Sequence, residues 1–276
     1  MLIEIYHAAY CRIRVSNYFP STFLDRVISY FVILTGPGDS AGVVGLSAAL
    51  AIQEGAAEAG HDRRVTVLAR DFPGPFETID PTAQINYASP WGGAHNRLVP
   101  PTSVAEEDEH RMSIATSERM GALLHQSGPG VTGVTFMRGV EYLEDPGPQY
   151  LAITEEKARS ELGMRGFRLL RPEELPDDKV AWGCEYETWC VNPMVYCSFL
   201  LRRFVFAGGR VVKKEVRDPA EIFSIGGELG PVDVVVNASG SGFGDPNVFP
   251  TRGSWQSRRN PIRVGLLTDS LQGKPA

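Results

Sequence analysis

The stretch TGPGDSAGVVGLSAALA (residues 35–51) follows the apolar run Tyr30-Phe-Val-Ile-Leu34 and leads into an alanine-rich segment. Residues 30–35 suit a short buried strand, residues 43–59 a helix that closes near Gly60, and the run VTVLA (65–69) a second strand. That βαβ pattern implies neighbouring parallel strands joined by a right-handed crossover. Gly42 and Gly45, in AGVVGLS, hold the second and third positions of a GxGxxG turn. In such a turn one glycine lets a pyrophosphate approach the backbone and the other lets helix and strand pack closely. Ser40 stands at the first glycine position, with GPGDS between strand and turn. A serine held at positive φ there costs on the order of 1 kcal/mol.

Two neighbouring features point the same way. The helix N-terminus beginning at Ala41, Gly42, Val43 and Val44 carries partial positive charge suited to phosphate. Arg70 and Asp71 end the second strand about 25 residues beyond Gly45, where an acidic residue binds ribose hydroxyls. Alone, the glycines suit an ordinary turn equally well; the three features together predict dinucleotide binding.

The remaining chain continues the α/β pattern. Residues 71–101 are rich in Pro and Gly and read as a long loop, functional or disordered. Ser103 and Glu106 form a capping box for a surface helix reaching about residue 125 and carrying His110 and His125. The acidic run from Glu106 to Glu109 reads as a solvated first turn. Strands are expected at 131–140, 210–216 and 232–237, a short helix at 154–162 and a connector at 167–170. A helix at 191–204 has proline in its first turn and Gly208-Gly209 closing it. The apolar strand VDVVVN ends in Ala-Ser-Gly-Ser-Gly, and ligands of open α/β sheets bind beyond such carboxyl ends.

Composition narrows the function further. With 43% hydrophobic and 22% charged residues and a net charge of −6, the chain has no basic footprint for nucleic acid. No run approaches the length of a spanning helix, and no secretory signal is apparent, so an intracellular protein without a membrane partner is expected. The four cysteines, Cys11, Cys184, Cys190 and Cys197, fit no metal spacing and read as thiols buried as small hydrophobes. The five scattered histidines give no metal site.

The runs VVGLSAALAIQE, VTVLARDFPG, YASPWGGAHN, GFRLLRPEEL and VDVVVNASG, the last followed by FPTRG, resemble the D-amino-acid oxidases in order and spacing. The resemblance covers residues 42–253. It implies a Rossmann-like FAD-binding domain interleaved with an α+β substrate domain built on a mixed sheet. FAD-domain parts are expected at 42–90 and 191–253, a substrate-domain part at 91–190, and atypical segments at 1–41 and 254–276. Ala41, Gly42, Val43, Val44 and Gly45 would hold the FAD pyrophosphate, and Arg70 and Asp71 would face the adenosine ribose. Ala88, Ser89 and Pro90, before Trp91, would lie along the cofactor, and Val216, ending a strand, would sit near the adenine through its backbone. Ser239 replaces the threonine of the family's NATG-type motif and keeps its hydroxyl.

The implied reaction moves the Cα hydrogen of a D-amino acid to the flavin as hydride. The imino acid then hydrolyses, and oxygen reoxidises the flavin to give hydrogen peroxide. The implied partners are a small D-amino acid and oxygen, with a homodimer as the expected assembly. After FPTRG the family continues with substrate-binding tyrosines, a carboxylate-binding arginine and a last glycine-rich segment. This chain instead runs SWQSRRNPIRVGLLTDSLQGKPA; its Arg258, Arg259 and Arg263, like Arg252 just before it, lie in no matching substrate motif and read as part of a solvated basic tail. Truncation or alteration at both ends is therefore expected. The family's peroxisomal address is an SKL-like tripeptide, whereas this chain ends Gly-Lys-Pro-Ala. The alternative expectations are a catalytically inactive fragment with a weak FAD site and, more distantly, an NAD-dependent dehydrogenase.

Overall fold

A computed structural model describes residues 2–4, 30–34, 41–60, 62–74, 87–92, 95–225 and 229–240. Ser40 and the rest of 35–40, Cys11, the FPTRG segment and the arginines after it lie outside the described residues.

Among the described residues, β1 (Leu2–Glu4), β2 (Tyr30–Leu34), β3 (Arg64–Ala69), β7 (Arg210–Lys213) and β8 (Val234–Asn237) form a parallel sheet in the order β1-β8-β2-β3-β7. From β2 the chain moves to β3 on one side, while β8 pairs on the other, so the order reverses at β2. Leu34 is level with Asn237 and with Leu68, and Ala69 with Lys213, which brings four carboxyl ends to one edge. A crevice at such a reversal is where open α/β sheets take ligands.

Both faces of β3 and β8 are covered, which is why these strands read as nearly unbroken apolar runs. Val65, Val67, Val234 and Val236 point to one face, where they meet Leu46, Ala49 and Leu50 of α1 (Val43–Glu58). Tyr196, Cys197, Phe199, Leu200 and Phe204 of the later helix at Pro193–Phe206 complete that core. The alternate positions Leu68 and Val235 face the other way and pack with Val212, Val216, Ile222 and Leu229. The small side chains of α1 let it lie close to the sheet, and Gly60 ends the helix region at φ 69°.

The second sheet is antiparallel, in the order β4-β6-β5, from β4 (Val134–Leu143), β5 (Arg168–Leu169) and β6 (Trp182–Val191). Strands β4 and β6 pair from Val134↔Val191 to Leu143↔Trp182, making a two-stranded ribbon. Its ends serve different cores on opposite faces. At one end Val134, Phe136, Trp189 and Val191 join the α1 core. At the other, Leu143, Trp182, Cys184 and Tyr186 pack with Leu98, Tyr150, Ile153, Leu162 and Phe167. Because strand side chains alternate faces, each strand contributes even-numbered residues to one core and odd-numbered residues to the other.

The remaining helices are α2 (Val104–Ser127), α3 (Pro129–Thr132), α4 (Pro148–Leu151), α5 (Glu155–Ser160), α6 (Pro193–Phe206) and α7 (Glu221–Ser224). The expected strand at 131–140 begins only at Val134, because Pro129 to Thr132 wind into α3. Gly133 closes that turn at φ 73°, and a Cβ there would lie 2.9 Å from the Asn192 carbonyl oxygen. The connector expected at 167–170 contains strand β5, which pairs with β6. Strand β7 ends at Lys213, so Val216 lies three residues beyond it and does not end the strand.

Ser103 caps α2 as expected, accepting from the Glu106 N–H at 3.3 Å. Glu106 reaches one residue further back than a capping box requires, accepting from the Thr102 N–H and hydroxyl, each at 2.7 Å. Those hydrogen bonds hold its carboxyl below the usual range. His110, expected on the surface, is buried, with Nδ1 3.1 Å from the Val99 carbonyl oxygen; His125 is exposed. Among the described residues, no helix is long and apolar enough to cross a membrane.

Candidate functional site

Three separate segments are laced together at the carboxyl edge of the parallel sheet. The Ala41 N–H donates to the Asp71 carbonyl oxygen at 2.7 Å, tying the entry to α1 to the end of β3. The Tyr87 hydroxyl donates to the Ala41 carbonyl oxygen at 2.6 Å, and the Val43 N–H donates to Ser89 Oγ at 3.0 Å. Ala41, Ala69 and Ala238 lie in one core, so the end of β8 reaches the same place.

Each contact has a local cause. Gly42 is the N-cap of α1 in extended conformation and has no side chain with which to satisfy the first-turn N–H groups. Ser89 supplies that missing cap from another part of the chain. It opens a 3₁₀ turn, Ser89–Trp91, started by Pro90 and closed by the Gly92 N–H donating to the Ser89 carbonyl oxygen at 3.1 Å. Ala88, just before it, is exposed. Gly45 is buried inside α1, where its missing side chain permits close packing. The first turn of α1 contains no acidic residue, so nothing there opposes the positive end of the helix dipole.

Asp71 is largely buried. Arg70 Nε donates to its Oδ2 at 2.7 Å, and Lys213 Nζ lies 3.8 Å from its Oδ1. A carboxylate offers about four lone-pair sites, so these contacts leave acceptor capacity for hydroxyl groups. Burial, with Cys197 and Asp71 nearby, pushes the Tyr87 phenol well above its ordinary pKa and keeps it a donor.

At the end of β8, Asn237 Oδ1 accepts from the Ser239 N–H at 3.1 Å and turns the chain, with Gly240 following at φ 69°. Ser239 is 3% exposed, and its Oγ has no hydrogen-bond partner among the described residues. A buried hydroxyl without a partner costs about 1–3 kcal/mol, a penalty that a polar ligand at this edge would remove. The other unassigned buried atoms include Asn96 Nδ2 and Trp189 Nε1, where the chain leaving the 3₁₀ turn crosses the second sheet.

Of the residues the sequence singled out, the structure brings together Ala41, Gly42, Val43, Val44 and Gly45 with Asp71 and Ser89, flanked by Arg70, Ala88 and Pro90. Ser239 stands at the same sheet edge. The side chain of Val216 points into the core on the far face of the sheet. Tyr87 was missed, although an aromatic before Ala-Ser-Pro-Trp was a signal that the segment is anchored.

Three cysteines lie among the described residues, and Cys197 is close to Tyr87. Burial pushes the Cys184 and Cys197 thiols up to about 12, while Cys190 is only half-buried. At pH 8 a thiol of pKa about 12 is ionised in roughly one molecule in ten thousand. Mass mapping after brief iodoacetamide treatment is therefore expected to find Cys190 labelled well before Cys184 and Cys197. Equal labelling of the three would contradict this burial. Among the described residues, no cluster of His, Cys, Asp and Glu could hold a metal.

The chain is 33% identical to a D-aspartate oxidase of Talaromyces thermophilus over 74% of its own length and 55% of the relative's. It is 24% identical to a D-amino-acid oxidase of Fusarium vanettenii over 84% of its own length and 62% of the relative's. It thus spans little more than half the length of these curated relatives. A crystal structure of glycine oxidase from Bacillus cereus ATCC 14579 aligns with 78% of this chain and 55% of its own, at 16% identity and a TM-score of 0.46. The family model described as DAO, FAD dependent oxidoreductase, matches residues 41–257, a span that begins at the entry to α1, and the chain belongs to that family.

Proposed function

We propose that this chain binds FAD at the carboxyl edge of the parallel sheet and takes part in the oxidative deamination of D-amino acids to 2-oxo acids, ammonia and hydrogen peroxide. The observation that carries the reading is the lacing of residues 41–43, 71 and 87–89 around one helix N-terminus, with a Ser239 hydroxyl at the same edge that has no partner among the described residues. These residues fit a dinucleotide. The first turn of α1 receives the pyrophosphate, Asp71 accepts from the ribose hydroxyls, and Arg70 lies beside it. The segment Ala88-Ser89-Pro90 would lie along the cofactor, the Val216 backbone would sit near the adenine, and the Ser239 hydroxyl would be available to hold it. When bound, FAD supplies the two-electron acceptor for the substrate's Cα hydrogen, while the protein orients the substrate and excludes water.

A D-amino acid is the substrate class supported by the names of both curated relatives, and the D-aspartate oxidase favours an acidic one. The test is a visible spectrum of the purified chain, followed by peroxide assays with D-aspartate and D-alanine. A flavin spectrum with peroxide released from D-aspartate is the expected result. A yellow protein inert toward both substrates removes turnover and leaves cofactor binding. A colourless protein that oxidises added NADH overturns the FAD reading.

A further inference from the structure

Between Tyr87 and Leu98 the chain is fastened at two places that belong to different parts of the fold. One fastening is at α1, through the Tyr87 hydroxyl on the Ala41 carbonyl oxygen and Ser89 Oγ under the Val43 N–H. The other is on the β4-β6 ribbon. There the Asn96 N–H donates to the Trp189 carbonyl oxygen at 3.0 Å, and Thr188 Oγ1 donates to the Asn96 carbonyl oxygen at 2.7 Å. The Leu98 N–H donates to the Tyr186 hydroxyl at 3.3 Å, and Arg97 Nε donates to Glu141 Oε2 at 2.7 Å. Ser89 and Asn96 are seven residues apart, so the two fastenings are linked by no more than about 25 Å of chain.

The ribbon is shaped to receive this crossing. A Cβ at Gly139 would lie 2.7 Å from Thr188 Cγ2 and 3.4 Å from His95 Nε2, so glycine leaves the room in which both side chains sit. Glu141 is buried between Arg97 and the Tyr186 hydroxyl, and Arg97 also donates to the Tyr150 hydroxyl at 3.1 Å while lying over its ring. Burial lowers the pKa of Arg97, but the attraction of Glu141 outweighs this and keeps the guanidinium charged.

Helix α1 has no side-chain cap of its own and borrows one from Ser89. The placement of Ser89 therefore sets which first-turn N–H groups face the crevice, and that placement depends on where the other fastening holds the chain. We infer that Thr188, Arg97 and Glu141 are positioning residues for the dinucleotide site: by pinning residues 95–98 to the ribbon they hold Ser89 on the N-terminus of α1 and so set cofactor affinity. The inference rests on the FAD reading above.

The experiment uses Thr188→Val, which keeps shape and strand preference while deleting one hydrogen bond, and Glu141→Gln, which removes the charge at nearly constant volume. FAD is titrated into each apoprotein and followed by flavin fluorescence. Hydrogen exchange of the same apoproteins is mapped by mass spectrometry. For Thr188→Val the FAD Kd is expected to rise about threefold to tenfold, the equivalent of one lost hydrogen bond. Exchange is expected to accelerate in the first turn of α1 and at Ser89, with the second half of α6 unchanged. Glu141→Gln should show the same pattern more strongly. If that variant does not fold, Thr188→Val decides the matter alone. An unchanged Kd in a folded Thr188→Val protein, or exchange that rises equally everywhere, overturns the inference. The exchange pattern needs no cofactor, so failure of the unsubstituted chain to bind FAD overturns the cofactor reading separately.

Discussion

Glu141→Ala is expected to destabilise the protein by about 2–4 kcal/mol, because it leaves the half-buried Arg97 guanidinium and the buried Tyr186 hydroxyl without their acceptor. The substitution strands the Arg97 guanidinium and removes the acceptor of the Tyr186 hydroxyl in the same step. Against the roughly 5–15 kcal/mol that keeps ordinary domains folded, that loss is severe. Urea denaturation followed by intrinsic fluorescence measures it as a drop in midpoint. A double variant, Arg97→Met with Glu141→Leu, should recover much of the loss, because replacing both members of a buried pair by apolar groups is often neutral. A drop below about 1 kcal/mol for Glu141→Ala would show that water reaches the pair.

Tyr87→Ala is expected to cost about 3–5 kcal/mol, in the range of buried aromatic deletions. Tyr87 is 3% exposed and anchors Ala41 through its hydroxyl. Tyr87→Phe separates the two contributions: it keeps the ring and leaves the buried Ala41 carbonyl oxygen short of a partner, at about 1–3 kcal/mol. Thermal melting of the two variants, with and without added FAD, is the measurement. The Phe variant should lose less stability than the Ala variant, and both should gain less from FAD than the unsubstituted chain. Equal gains from FAD in all three proteins would show that Tyr87 shapes the core without shaping the site.

The parallel sheet was legible because β3 and β8 are buried on both faces, so they appear as apolar runs of strand length. The helix cap at Ser103 was legible for a local reason: one polar side chain answers one N–H three residues on. Strand β6 went unread. Its residues Trp182, Cys184 and Tyr186 serve one core, while Trp189 serves another across the opposite face, so neither alternation nor a continuous apolar run survives in WGCEYETWCV. His110 misled for a related reason, since a single polar residue on a charged helix gives no sign that a distant carbonyl, that of Val99, awaits it.

For the site, the glycines and the Arg70-Asp71 pair were visible as local motifs, and so was the Ala88-Ser89-Pro90 segment by resemblance. What could not be read was the borrowing of a cap. Val43 and Ser89 are separated by 46 positions, and nothing near Gly42 in the sequence announces where its missing hydroxyl comes from. Contacts of this range depend on the tertiary fold, and local propensity carries no trace of them.

The two-faced ribbon of β4 and β6 also governs how the chain can misfold. In a sheet that serves a single core, a one-residue slip of register turns one set of apolar side chains to solvent. Here such a slip would withdraw Val134 and Trp189 from one core and Trp182 and Tyr186 from the other at the same moment. The ribbon thereby makes the correct strand alignment a condition of both cores, and partly assembled chains are denied a stable misaligned resting state.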